Sequence, residues 1–186
     1  MEIMIMGLCL FSAVHFIPSL APQWKTSITA KIGPGPYQGV FALTLVTAIV
    51  LIVYGWRHSV PATVYIPLLS LRPLTMVLMF VSLLLFVASK PPTRIKRILR
   101  HPQLSAVILW SAAHLLSNGD SRSVLLFGTL GVWAFLEIVF INRRDGAWQK
   151  PAAPALKNEI ILLVLATVVY AVVVFAHPWL SGMPLI

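Results

Sequence analysis

Apolar residues run along this chain in six long blocks: Ile3–Leu20, Gly39–Trp56, Pro73–Ser89, Pro102–Ser117, Ser123–Ile141 and Ile160–His177. A bilayer core about 30 Å thick needs about 20 apolar residues to cross it, with about 17 as the lower end. The blocks meet or approach that length. Backbone in hydrocarbon must satisfy its own hydrogen bonds, so each block is expected as a helix. The expected fold class is therefore all-α, a polytopic membrane bundle of about six transmembrane helices forming one domain over residues 1–186. No internal repeat or low-complexity tract divides it. The stretch Val64–Leu71 is apolar but too short to cross, and reads as an interfacial or re-entrant piece ahead of Arg72–Pro73.

Between the blocks lie helix-ending residues. "GPGP" (33–36) and "KPAAP" (150–154) should break helices, since proline lacks a donor and glycine is conformationally loose. "SNGDS" (117–121) reads as a tight hairpin, with Gly119 suited to a helix C-cap and Asp120 or Ser121 to the next N-cap. The fourth and fifth spans should then lie antiparallel, side by side.

Composition agrees with a lipid solvent. Residues are 59% hydrophobic and 10% charged, against about 25% charged in an ordinary soluble domain. The net charge of +9 comes from short clusters between apolar blocks. It does not come from one exposed basic face, so nucleic acid is excluded as a partner. Lys25, Lys31, Lys90, Arg94, Lys96, Arg97, Arg100, Arg143, Arg144, Lys150 and Lys157 fall in the odd-numbered loops; Arg57, Arg72 and Arg122 fall in the even ones. The positive-inside rule then places the odd loops in the cytoplasm and both termini in the periplasm of a bacterial inner membrane. "SLA" (19–21) loosely resembles a leader cleavage site, but no positive leader precedes Ile3, so a retained first helix is expected. The single cysteine, Cys9, excludes an intrachain disulfide and multi-thiolate zinc sites.

The chemistry rests with the histidines. His101 and His114 are thirteen residues apart on one helix, about 19.5 Å along its axis, so they serve different sites. His101 sits beside a basic run and reads as a headgroup contact. His58 and His177 fall near the opposite face and read as interfacial residues. His114 lies about 18 Å into its helix, and His15 about 18 Å into a helix entering from the other side, so the two rings should differ in depth by only about 6 Å. Imidazoles on two helices at one level can hold a cofactor between them, or each can be a neutral histidine bonded to a carbonyl. Intramembrane ionisable residues are costly, which favours function. With no nearby carboxylate or Glu-x-x-His pair, haem iron is the best-suited metal. Trp110 would wall a flat cofactor, Ser111 and Asn118 are spaced to orient the His114 ring, and Arg57, Arg72 or Arg100 could meet its propionates. Glu137 should snorkel or pair with Arg143 or Arg144.

The run Thr93 to Glu137, "TRIKRILRHPQLSAVILWSAAHLLSNGDSRSVLLFGTLGVWAFLE", resembles the NnrU family of bacterial membrane proteins, as do "FSAVHF" (11–16) and "HPWLSG" (177–182). Relatives usually carry an Asp-Arg pair where this chain has Glu137-Ile138. The resemblance implies a link to denitrification. It also implies kinship with the plant 15-cis-ζ-carotene isomerase, whose haem b is held by two histidines that match His15 and His114 here. The expected function is thus a haem b-binding inner-membrane protein of nitrogen-oxide metabolism, with His15 and His114 as iron ligands. Its partners would be membrane lipid and a nitrogen-oxide species or apolar polyene. The alternative is a haem-dependent cis–trans isomerase of a carotenoid-like polyene. A membrane scaffold without cofactor is a third reading. "RHP" also opens a helix in isoprenylcysteine-type methyltransferases, but the Tyr, Gly and paired Glu that follow there are missing here.

Overall fold

The computed structural model describes residues 1–182. Seven α-helices carry the fold: α1 (Glu2–Leu20), α2 (Pro22–Ile32), α3 (Pro34–His58), α4 (Arg72–Ala88), α5 (Pro102–Ser117), α6 (Ser121–Asp145) and α7 (Leu156–Ser181). Six of them coincide with the six apolar blocks to within a few residues. Five helical stretches are long and apolar enough to cross a membrane, and α5, with 16 residues, falls below that length. It nevertheless runs from one end of the bundle to the other, wedged between α4 and α6.

The helix that sequence reading missed is α2. Its apolar residues are interrupted by Lys25, Thr26, Ser27 and Lys31, and none of its residues is buried. Pro22 starts it and Gly33, at φ 88°, ends it. Positive φ is inexpensive only for glycine. Pro34 then opens α3, so "GPGP" does break the chain as its residues suggest.

Side by side, the long helices stand in the order α3, α1, α6, α5, α4, α7. Their outer surfaces are apolar and exposed, as on α3 (Leu43, 68%) and α7 (Phe175, 74%), which suits lipid and not water. Helices in lipid gain from close backbone approach at small residues, and α1 meets α3 in that way. A Cβ on Gly7 would sit 2.8 Å from the Ala48 carbonyl oxygen, and one on Gly55 would overlap the Met4 backbone. Between α4 and α5, Ser82 donates its hydroxyl to the Ala106 carbonyl at 2.8 Å.

The end of the bundle holding Met1, the end of α3, the start of α4 and the α5–α6 hairpin carries Arg57, Arg72 and Arg122. The other basic residues lie toward the opposite end, with α2, the start of α5 and the end of α6. Residues 59–68 are a mostly extended strap across the first end, not a re-entrant helix. Val64 and Tyr65 donate their amides to Gly119 O (2.8 and 3.0 Å), Ser121 donates to Ala62 O (2.8 Å), and the Tyr65 hydroxyl donates to the carbonyls of Leu115 and Asn118. Arg122 clamps the same end, donating to Trp56 O and Ser59 O and lying 4.8 Å from the Trp56 ring centroid.

Asp120 is the N-cap of α6, accepting the amides of Arg122 (3.0 Å) and Ser123 (3.1 Å) and the Ser123 hydroxyl (2.6 Å). Burial by itself would raise its carboxyl pKa. The Ser123 and Arg122 hydrogen bonds and the Arg122 charge outweigh burial and hold it below the ordinary aspartate value. Gly119 is not the left-handed C-cap its sequence suggests. Asn118, in extended geometry, caps α5, and Gly119 keeps negative φ. It is needed because a Cβ there would overlap the Tyr65 carbonyl.

Candidate functional site

His114 lies in the last turn of α5. Its Nδ1 is 2.8 Å from the carbonyl oxygen of Trp110. A carbonyl only accepts, so Nδ1 carries the proton and, in the neutral ring, Nε2 keeps its lone pair. Phe127 of α6 stacks on the ring (4.3 Å between centroids, 21° between planes) and Trp110 leans on it at 4.8 Å. The ring lines a cavity of about 570 Å³ shared with Arg72, Met76 and Met79 of α4 and Tyr170 and His177 of α7. Small-molecule sites typically span about 300–1,000 Å³. The Arg72 guanidinium has no hydrogen bond or ion pair among the described residues, which leaves it available to an anionic group.

The supporting residues take different roles from those the spacing suggested. Trp110 does wall the His114 ring. Ser111 does not orient it: the ring nitrogen is already committed to Trp110 O, and the buried Ser111 hydroxyl has no hydrogen-bond partner. Asn118 donates both its side-chain and main-chain N–H to the His114 carbonyl (2.9 and 2.8 Å), ending the helix without touching the imidazole.

His15 repeats the same local geometry on α1. Nδ1 bonds Phe11 O at 2.9 Å, and Phe11, Trp133 and Phe41 surround the ring at 4.3, 4.9 and 5.7 Å. This backbone bond is not diagnostic by itself, because the exposed His58 makes it too, to Tyr54 O. The cavities set His15 and His114 apart from His58. His15 lines one of about 410 Å³ with Ser19, His101, Leu104, Glu137 and Arg144.

His101 and Glu137 depart from expectation. His101 is half-buried, with Nε2 2.9 Å from Asn142 Oδ1, which ties its ring to α6. Glu137 neither snorkels nor forms an ion pair. It is only 4% exposed and its Oε1 has no partner. Arg144 turns to Asp145 (2.7 Å) and to Pro18 O (2.7 Å), and Ser19 donates to Phe16 O. An unmade bond at a buried polar atom costs about 1–3 kcal/mol.

The two intramembrane histidines do not share a cavity. His15 rests on Trp133 and His114 on Phe127, six residues apart on α6, which is about 9 Å of helix rise. They approach α6 from opposite neighbours, α1 and α5. The offset exceeds the 6 Å expected because α5 is shorter than the bilayer core and the tight hairpin sets its register on α6. His114 instead shares its cavity with His177, because α5 and α7 run parallel and bring both residues to the same end of the bundle. Among the described residues, no group of three or more His, Cys, Asp and Glu side chains is arranged to hold a bare metal ion.

The family described as NnrU protein matches residues 3–185. This chain belongs to the NnrU family. No curated protein and no solved structure matches it. Within this NnrU chain the long central motif maps onto one physical unit: the end of α5, the hairpin and the capped start of α6. Trp110 and His114 face each other there, Asn118 ends α5, Gly119 admits the strap and Asp120 starts α6.

Proposed function

We propose that this NnrU-family chain is a haem b-binding protein of the bacterial cytoplasmic membrane that acts in nitrogen-oxide metabolism, in which His114 would hold the iron. The observation that carries the reading is the His114 cavity. It combines an imidazole whose free nitrogen is Nε2, aromatic neighbours, apolar walls (Met76, Met79, Leu83) and one unpaired cation, Arg72. This donor set fits haem. Bound there, haem supplies one-electron chemistry and affinity for small nitrogen oxides. The chain's own residues fix the ring through Trp110 O, exclude water with Phe127 and the α4 methionines, and offer Arg72 to a propionate. The charge segregation supports an orientation with the basic end in the cytoplasm and both Met1 and the end of α7 on the periplasmic side.

In a second reading His15 would also hold the iron, and the protein would be a haem-dependent isomerase of an apolar polyene. The matching Nδ1 bond and aromatic cage of His15 favour it. Absorption spectra of the detergent-purified protein, oxidised and dithionite-reduced, separate the readings. A Soret band lost in His114→Ala and kept in His15→Ala supports the first. Loss in both single variants supports the paired ligands. A colourless protein after expression with ample haem overturns both.

A further inference from the structure

We propose that the cavity shared by α1, α5 and α6 at the basic end is a binding site for the hydroxylated ring of a lipid-soluble quinol. The lining is unusual in what it lacks. Glu137 is nine-tenths buried, lines the cavity and has an oxygen with no partner. His101 gives its Nε2 proton to Asn142 Oδ1, which leaves Nδ1 with a lone pair, and His15 gives its Nδ1 proton to Phe11 O, which leaves Nε2 with one. The charged donor on the lining, Arg144, is spent on Pro18 O and Asp145. Three acceptors on three elements therefore line the space, and one buried donor there, Trp133 Nε1–H, also lacks a partner. A ligand that completes them must carry several O–H or N–H groups.

Charge chooses between the two kinds of donor. An ammonium ion would enter past Arg100, Arg143 and Arg144 at the most basic part of the molecule, where the local potential repels cations. A neutral molecule with two hydroxyls meets no such barrier. The walls suit a ring, since Trp133, Leu104 and Ile141 give apolar surface beside the polar groups, the usual make-up of a small-molecule site. Position suggests the source. α1, α6 and α5 are consecutive in the row, and residues of all three line the cavity at the basic end of the bundle. A quinol would place its head at this end and its isoprenoid tail along the exposed apolar helices. Binding alone is inferred, and it holds whether or not His114 carries haem.

The test uses the full chain in nanodiscs under argon, titrated with ubiquinol-1 and, separately, with ubiquinone-1, following tryptophan fluorescence. Ubiquinol-1 should saturate the site, and ubiquinone-1, whose ring carries only acceptors, should bind at least tenfold more weakly. Glu137→Leu removes the unpartnered oxygen without burying a new polar group, so it should fold while weakening ubiquinol-1 binding at least tenfold. His101→Ala should weaken it several-fold, and Ser82→Ala, between α4 and α5, should leave it unchanged. Quinone bound as tightly as quinol, no saturable binding, or an affinity unmoved by Glu137→Leu would each overturn the site. A haem spectrum unaffected by these outcomes keeps the two proposals separate.

Discussion

Gly119 lies directly against the carbonyl of Tyr65, with no room between them for a Cβ atom. Through this contact the strap after α3 reaches the hairpin that carries α5 into α6, and two Tyr65 hydroxyl bonds and two Gly119 carbonyl bonds lock it. Gly119→Ala must push the strap away. Overpacking of this kind costs about 1–3 kcal/mol, and for a chain of this size each kcal/mol is about 2–4 °C. Thermal melting in detergent should fall by about 2–12 °C. An unchanged melting point would mean that the strap does not anchor the hairpin.

Low pH should loosen the same corner. Asp120 has a lowered pKa in the folded chain, so its contribution is fully present above the ordinary aspartate value and fades as pH falls through the lower folded value. Melting points of the native chain and Asp120→Asn should therefore differ at neutral pH and converge as pH falls past the ordinary aspartate value and through the lower folded one. A constant gap across that range would assign the cap no ionic component.

Gly55→Ala should separate α1 from α3, because its new methyl group overlaps the Met4 backbone. The expected loss is again about 1–3 kcal/mol. Gly35→Ala, with open space around it, is the control and should melt within about 1 °C of the native chain. Equal melting of both variants would remove close packing as the reason for Gly55.

Arg72→Gln tests the charge at the larger cavity. If a propionate pairs with this guanidinium, haem should leave the variant at least tenfold faster when apomyoglobin is added as acceptor, at unchanged Soret position. The loss should shrink in high salt, because the pair lies at an exposed mouth. Identical transfer rates would remove Arg72 from the site.

Much of this fold was legible because lipid reduces the choices available to a backbone. Six apolar blocks became six helices, and the "SNGDS" capping chemistry fell to Asp120. Sequence spacing failed where partners come from elsewhere in the chain. Asn118 and Ser111 are correctly spaced from His114, yet the ring takes the Trp110 carbonyl, the one acceptor every helix supplies four residues back. Arg144 is about two turns beyond Glu137, but the adjacent Asp145 claims it. Helix α2 escaped notice because a short helix with none of its residues buried has no apolar stripe to betray it. The two cavities are products of helix order, which hydropathy does not encode.

The brevity of α5 has a consequence for the surrounding bilayer. Its 16 residues measure about 24 Å, some 6 Å less than a typical hydrocarbon core. A crossing this short is accommodated by local thinning of the bilayer or by flanking side chains that reach the interface. Local thinning puts the thinnest part of the membrane where His101 and His114 mark the two ends of one short crossing, and small polar molecules have the least hydrocarbon to traverse there.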